Sequence, residues 1–238
     1  MLDHYRRSFS IAYEFVVGTI RNELGLEPTG RPAKSTTAIA DKLLRESIRL
    51  SQLQDIAGCR IILAGIEEQN ETVDSLQKLF SNVVIVDRRN NPSHGYRAVH
   101  VVVKYGSCIV EIQVRTSLQH LWGELSEKMS DLFDPAIKYG GGNKSLLKLL
   151  SRWSSVIKIE EEVERTLLNK KQRVSELLSE KRRLTSEERA DIIEYQASVV
   201  LLAVRQEDRR ESIIDGIRAA IQNFEQLSAK ERRHAFLN

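Results

Sequence analysis

Two acidic residues stand where this chain could carry out phosphate chemistry. Asp55 precedes a short, apolar, β-branched segment that is predicted to be a buried strand, and Glu111 belongs to a second strand pattern with alternating polar residues. Two carboxylates on neighbouring strand ends, with no paired His or Cys beside them, suit a hard cation such as Mg²⁺, which takes few carboxylates together with phosphate oxygens. Both residues are therefore candidate Mg²⁺ ligands in a nucleotide site.

Basic and aromatic residues near these carboxylates could bind the nucleotide itself. Clustered Lys and Arg supply what a polyphosphate requires, and a tyrosine offers a stacking surface for a base. The residues of these types are Arg31, Lys34, Lys42, Arg45, Tyr96 and His100. Charged residues opposite an apolar strand face are more often simply exposed to solvent, so the spacing alone fits both a nucleotide site and an ordinary polar surface.

A β-hairpin is predicted over residues 98–116, because two alternating segments flank Gly106-Ser107, which suits a two-residue type II′ turn. This turn pairs His100 with Gln113 and Val102 with Glu111. One face then carries Val or Ile at positions 99, 101, 103, 110, 112 and 114 and is predicted to be core. The opposite face carries His100, Lys104, Glu111, Gln113 and Arg115, joined by Tyr96 if the strand extends that far.

The composition favours a folded protein and excludes several classes. With 238 residues, 41% of them hydrophobic, and only 12 Gly and 4 Pro, the chain is neither collagenous nor of low complexity. A net charge of +3 is too small to indicate a nucleic-acid binder by bulk electrostatics. No run approaches the ~20 apolar residues of a membrane helix. Cys59 and Cys108 lie in apolar runs, so both are expected to be buried thiols of a cytoplasmic protein.

The helix and strand patterns predict an α+β fold with a mixed sheet. Helices are expected at residues 3–24, from Thr36 onward, and at 67–80, 117–133, 144–184, about 185–204 and 212–227. The segment EPTGRPAKST is expected to be a loop, and strands are expected after Asp55, at 83–86 and in the hairpin. Thr185 and Glu188 form a T-x-x-E capping box, and GGGN at 140–143 marks a boundary. The predicted domains are residues 1–139 and 140–238.

Two short motifs are better explained as structural. GGGNKS at 140–145 has Asn143 where a phosphate-binding loop needs Gly before the Lys, so a linker is predicted. HLWGE at 120–124 lacks the second His that a zinc helix has at i+4, so His120 is predicted to be structural.

Four blocks follow one another between about residue 31 and residue 128: RPAKSTTAIADKLLR, DIAGCRII, HGYRAVHVVV and VEIQVRTSLQHLW. In this order and spacing they resemble the synthetase domain of the RelA/SpoT family of alarmone pyrophosphokinases, and EIQVRT and GYRAVH are the most specific of them. The resemblance implies a nucleotidyltransferase-like mixed sheet flanked by helices. It also implies transfer of the β,γ-pyrophosphate of ATP to the 3′-hydroxyl of GDP or GTP, with release of AMP.

The resemblance assigns roles to individual residues. Asp55 and Glu111 would hold Mg²⁺, and Glu111 would also accept the proton of the attacking 3′-hydroxyl. Arg31 would lie against the adenine of ATP. The residues that would neutralise its phosphates are Lys34, Lys42 and Arg45. On the acceptor side, Tyr96 would stack on the base, His100 would lie near the phosphates, and Gln113 and Arg115 would support the floor of the site.

The acceptor loop departs from the family pattern. Family synthetases usually have a Pro-Lys pair followed by Asn-Gly-Tyr, whereas this chain has the run Pro92-Ser93-His94-Gly95-Tyr96, one residue shorter and without the Lys or the Asn. Arg88 or Arg89 would supply the missing positive charge. The acceptor thus stays open among GDP, GTP, another nucleotide and tRNA.

The alternatives for the function of the chain imply different binding partners. The chain is similar to the small single-domain synthetases, and its helical C-terminal part is expected to form homo-oligomers. A toxic relative that places pyrophosphate on the 3′ end of tRNA, neutralised by an antitoxin, is the first alternative. A catalytically inactive nucleotide-binding or assembly module is the second.

Overall fold

The computed structural model describes residues 2–53, 55–179 and 184–226. Its helices are α1 (Leu2–Arg7), α2 (Ser10–Leu24), α3 (Thr36–Glu46), α4 (Ile66–Leu79), α5 (Ser117–Leu132), α6 (Lys144–Ser179) and α7 (Ser186–Gln226). Its strands are β1 (Thr29–Arg31), β2 (Ala57–Leu63), β3 (Val83–Asp87), β4 (Val99–Tyr105) and β5 (Cys108–Thr116). The predicted α+β class is confirmed.

Two compact units make up the chain. The first comprises Met1–Ala64, Glu68–Pro92 and Arg97–Ser117, and the second comprises Gly65–Glu67, Ser93–Tyr96 and Leu118–Asn238. The division into domains at residues 139 and 140 stays a prediction.

The first unit is built on a five-stranded mixed sheet of order β1-β2-β5-β4-β3, in which only β2 and β5 run parallel. The hairpin register is the predicted one, with His100 opposite Gln113 and Val102 opposite Glu111. Gly106 has a φ of +59°, the positive value that the first position of a type II′ turn requires.

One face of this sheet is core, as the alternation predicts. All six Val and Ile side chains of the hairpin's apolar face are at most 2% exposed. Helices α2, α3 and α4 contribute to the same core, with Val16 and Ile20 from α2, Ile39 from α3 and Leu76 from α4. The polar side chains of β4 and β5 are thereby placed on the other face.

The first unit departs from the predicted elements at three places. The first helix is interrupted where the Ser8 hydroxyl donates to the Tyr5 carbonyl, in competition with the helical backbone. Part of the predicted loop is the edge strand β1, in which Gly30 packs so closely on Gly58 that no side chain fits. The helical spacing of Lys42, Arg45 and Arg49 predicts one shared basic face, but α3 ends at Glu46, before Arg49.

The second unit packs α5, α6 and α7 around its own apolar core. The fully buried members of that core include Leu125, Met129, Leu146, Leu150, Ile157 and Ile217. The predicted capping box is present, because Glu188 N–H donates to Thr185 Oγ1 and Thr185 N–H donates to Glu188 Oε2. Residues 180–183 and 227, which the helix predictions included, lie outside the described residues.

The prediction of two helices after Thr185 is wrong, because α7 is continuous from Ser186 to Gln226. The segment between the two predicted helices has the sequence RQEDRRE, and Arg, Gln and Glu are good helix formers. Arg209 of this run also pairs with the buried Glu160 of α6 at 2.9 Å. None of the helices over the described ranges is long and apolar enough to cross a membrane.

Ile112→Ala should lower the free energy of unfolding by about 2–5 kcal/mol, because it leaves a cavity beside fully buried neighbours. Ile62→Ala is the matched control, since Ile62 lies on the opposite face of β2 and is 43% exposed. Urea unfolding followed by circular dichroism measures both losses. Equal losses for the two variants would contradict the assignment of the core face.

Candidate functional site

The polar face of the sheet carries two adjacent rows of residues. One row runs from Arg31 through Gly58 to Glu111, and the next runs from Arg60 through Gln113 to His100. Paired residues on neighbouring strands project to the same side of a sheet. The register therefore brings Arg31, Glu111, Gln113 and His100, which are distant in sequence, onto one surface. Gly58 packs closely on the Glu111 backbone, because a Cβ atom there would lie 2.9 Å from the Glu111 carbonyl oxygen.

The carboxylate of Glu111 is held on this surface by two neighbouring side chains. Its carboxylate is 2.8 Å from Nδ1 of His100 through Oε1, and Gln113 Nε2 donates to Oε2 at 3.0 Å. Burial and the negative charge of Asp55 raise the pKa of Glu111, whereas its bonds to His100 and Gln113 lower it, and the net effect is a pKa below the usual value. Glu111 is therefore ionised at neutral pH even though its side chain is only 13% exposed.

Arg115 supports this arrangement from the next position on the same face. Its guanidinium donates to Gln113 Oε1 at 2.8 Å, which fixes the amide so that Nε2 points at Glu111. Arg115 is itself buried. The order Arg115 to Gln113 to Glu111 is thus a chain of donors that ends at the carboxylate.

Asp55 is held by the two predicted lysines. Lys34 Nζ donates to Oδ2 at 2.7 Å, and Lys42 Nζ lies 3.1 Å from Oδ1. Burial raises the pKa of Asp55, but the two ammonium groups outweigh this effect and hold the pKa below its usual value. The backbone explains the pairing, because Lys34 N–H donates to the Ile56 carbonyl at 2.7 Å, next to Asp55 in the chain.

The remaining predicted residues of the first unit are more exposed. Arg31 is exposed on β1, and Arg45 is exposed on α3, one turn beyond Lys42. Arg88 is half-buried just after β3, and its N–H donates to the Ala98 carbonyl. Arg89, the other candidate for the missing positive charge, is bound to Asp87 at 2.7 Å and to Asn70 at 2.7 Å.

Tyr96 belongs to the second unit, outside the strand β4 that it was expected to join. Its ring lies 6.4 Å from the ring of Trp122, measured between centroids, at an interplanar angle of 56°. Tyr96 is half-buried in this position.

Arg60 is a site residue that the sequence analysis missed. It lies on the polar face next to Gln113, in the parallel pairing of β2 with β5. The signal was present in the sequence, because Cys59 and Ile61 are buried and the residue between them must face the other way.

Residues of both short motifs form local contacts, and the linker at residues 140–145 stays a prediction. The Asn143 side chain accepts from the N–H groups of Ser145 and Leu146 and so caps α6. His120 pairs with Glu124 along α5 at 3.5 Å. The expectation for the cysteines is right for Cys59 but wrong for Cys108, which is half-buried near the turn, where its thiol is 3.6 Å from the Ser8 carbonyl.

The donor set at Asp55 and Glu111 fits Mg²⁺ better than a metal with a full protein cage. Among the described residues, no three His, Cys, Asp or Glu side chains converge as a metal site. Mg²⁺ commonly uses one or two carboxylates and takes its other ligands from substrate phosphates and water. Both carboxylates have lowered pKa values and are ionised, which such an ion requires.

Comparison with known sequences identifies the segment that contains this site. Residues 30–130 match the pattern described as a region found in RelA and SpoT proteins. This segment is similar to that region of RelA and SpoT proteins. It spans most of β1, all of β2 to β5 and most of α5, so it contains Asp55, Glu111 and the residues that hold them.

Individual relatives share part of the chain. An uncharacterised protein of Mycobacterium bovis is 37% identical over 116 residues, which are 47% of this chain and 42% of that protein. A probable chloroplastic GTP diphosphokinase of Arabidopsis thaliana, RSH3, is 30% identical over 95 residues, which are 38% of this chain and 13% of that protein. The chain therefore spans less than half the length of these relatives.

The fold of this chain also has a counterpart among solved structures. The crystal structure of small alarmone synthetase 1 from Bacillus subtilis aligns with a TM-score of 0.50 and 23% identity, covering 72% of this chain and 94% of that one. The two proteins share a fold.

The Cys59 thiol should be unreactive in the native protein, because burial and the charge of Glu111 raise its pKa to about 12. In Cys108→Ser, a thiol reagent at pH 8 should label native protein slowly and urea-unfolded protein fast. In Cys59→Ser, Cys108 should react at a measurable rate without urea. Fast labelling of native Cys108→Ser would contradict the buried position of Cys59.

His100→Ala should raise the pKa of Glu111, because it removes a bond to the charged form and leaves the burial in place. Carbon NMR of the Glu111 carboxyl measures the pKa in both proteins. Since the native pKa is depressed, the ionised Glu111 contributes stability above the usual pKa of Glu, and this contribution is lost as the pH falls through the native pKa. An unchanged pKa in His100→Ala would overturn the stated cause.

Proposed function

We propose that this protein is a pyrophosphokinase that transfers the β,γ-pyrophosphate of ATP to the 3′-hydroxyl of GDP or GTP. The observation that carries the proposal is the ionised Glu111, held by His100 and Gln113 on the polar face of a segment similar to RelA and SpoT proteins. The printed name of the Arabidopsis relative, a probable GTP diphosphokinase, supports the same reaction class.

In the proposed reaction the acceptor's 3′ oxygen attacks the β-phosphorus of ATP. A bond forms between these two atoms, and the bond from the β-phosphorus to the oxygen that bridges to the α-phosphorus breaks. That oxygen leaves with AMP, and the proton of the 3′-hydroxyl passes to Glu111. A carboxylate serves as the base only when it is ionised and fixed within reach of the hydroxyl, and the two donors on Glu111 keep it ionised and hold it in place.

Asp55 and Glu111 would hold Mg²⁺, which when bound neutralises phosphate charge. Lys34 and Lys42, which both bind Asp55, would also face the ATP phosphates with their positive charge. Arg45 follows Lys42 on α3 and would extend this positive surface along the ATP phosphates. Arg31 would lie against the adenine, a role consistent with its exposed place in the row of Glu111.

The acceptor would use the other predicted residues. Tyr96 would stack on its base, and His100 and Arg88 would meet its phosphates, with Gln113 and Arg115 fixing the floor. Arg88 suits this role better than Arg89, because Arg89 is bound to Asp87 and Asn70.

The shortened acceptor loop motivates a second acceptor, the 3′ end of tRNA, for which an antitoxin would be the expected partner. The same bonds form and break in that reaction. A catalytically inactive module, by contrast, would not need Asp55, Glu111 and Tyr96 together. A homo-oligomer also remains proposed, since α7 exposes Ile193, Val200, Leu201 and Val204.

The destination of a label from the γ-phosphate of ATP tests the proposal. The purified protein is incubated with Mg²⁺ and, separately, with GDP, GTP and deacylated tRNA, and the products are separated by thin-layer chromatography and gel electrophoresis. Label in a guanine nucleotide supports the proposed function. Label in tRNA alone would mean that tRNA is the acceptor and that the same bonds form and break. Label in neither overturns the proposal.

Glu111→Gln should reduce transfer by about 10²- to 10⁴-fold, because the amide keeps the shape of the side chain and cannot accept the proton. Glu124→Gln is the matched control, since it changes a second Glu–His pair in the second unit. The initial rate of AMP release measures both variants. Equal rates in Glu111→Gln and the wild type would contradict the role of Glu111.

A further inference from the structure

The segment that contains Tyr96 is a tight turn in which two consecutive residues have positive φ values. Tyr96 N–H donates to the Ser93 carbonyl at 2.9 Å, and the two central residues, His94 and Gly95, have φ values of +52° and +91°. Positive φ at both central positions is the signature of a type I′ turn. Gly adopts this conformation freely, but a residue with a Cβ atom such as His does so only when its surroundings compensate.

Ser154 of α6 supplies one such contact. Its hydroxyl donates to the Gly95 carbonyl at 2.8 Å, across 59 positions of sequence, and the residue is 6% exposed. A serine inside a helix usually donates to the carbonyl four residues earlier, as Ser155 does to Ser151 at 2.9 Å. Ser154 therefore departs from the local pattern to hold the turn.

Trp122 packs against the same glycine of the turn, beside Ser154. A Cβ atom on Gly95 would lie 2.8 Å from the Trp122 ring, so the backbone of the turn rests directly on the indole. The indole is itself fixed, because its N–H donates to the Leu150 carbonyl of α6 at 2.8 Å. Tyr96 thus follows a turn whose position is set by α5 and α6.

Gly140 accommodates His94. The φ of Gly140 is +77°, and a Cβ atom there would collide with the imidazole of His94. The GGGN segment therefore both ends the helical turn before it and leaves room for the His94 ring. The turn at residues 93–96, where the sequence departs from the RelA/SpoT pattern, therefore packs against the GGGN segment of the same unit.

We propose that Ser154 is a positioning residue for the acceptor nucleotide, acting through the Gly95 carbonyl on the turn that presents Tyr96. The inference rests on the proposed function, in which Tyr96 stacks on the acceptor base. Ser154 touches no reacting atom, and its effect falls on binding of the acceptor and leaves binding of ATP unchanged.

The test compares Ser154→Ala with Ser155→Ala, which removes only an exposed hydroxyl bonded within its own helix. The KM values for ATP and for the acceptor are measured separately for each protein. Loss of one hydrogen bond to the turn should raise the acceptor KM of Ser154→Ala about 3- to 10-fold and leave the ATP KM within about 2-fold. Ser155→Ala should match the wild type.

Gly95→Ala keeps the test valid if Ser154→Ala does not fold. Its Cβ atom would displace the turn from Trp122, so it should raise the acceptor KM more strongly, again without a change in the ATP KM. Equal effects on both KM values, or no effect from Ser154→Ala, would overturn the inference and leave the proposed function intact. A wild-type protein that transfers pyrophosphate to no acceptor overturns both.

Discussion

The site depends on one constraint, which is that the half-buried carboxylate of Glu111 has to stay ionised. Burial favours the protonated acid, and only donors aimed at the carboxylate reverse that preference. His100 and Gln113 are these donors, and both occupy positions fixed by the hairpin register. A slip of one residue would move Glu111 into the apolar core and the valines onto the polar face. The same alternation that buries the core therefore also positions the carboxylate that we propose as the base.

The second carboxylate, Asp55, is held by ion pairs with lysines and not by the register of the hairpin. Asp55 lies just before β2, and its partners come from Lys34 and Lys42, in and around α3. These ion pairs are partly buried, so they hold an ionised carboxylate and two ammonium groups in one place without full exposure to solvent. Charge is thereby concentrated where a polyphosphate and a divalent cation would meet, and little reorganisation is needed when they bind.

Much of this arrangement could be predicted from the sequence, because the sheet obeys a period of two. The turn at Gly106 and Ser107 was enough to pair His100 with Gln113 and to separate the core face from the polar face. Helix periodicity located α4 and α5 to within one residue at each end. The edge strand β1 was missed because three residues are too short to show alternation, and the continuity of α7 was missed because its charged run is stabilised by pairing with α6.

Contacts between residues distant in the sequence could not be predicted, since no periodicity encodes them. The hydrogen bond from Ser154 to Gly95 and the packing of the His94 ring against Gly140 are contacts of this kind.

The most direct test of the account is phosphorus NMR of the wild-type reaction with ATP, Mg²⁺ and the acceptor that takes the label. The account predicts that AMP and the 3′-diphosphorylated acceptor accumulate in equal amounts. Formation of ADP with a 3′-monophosphate, or of AMP with free pyrophosphate, would contradict it.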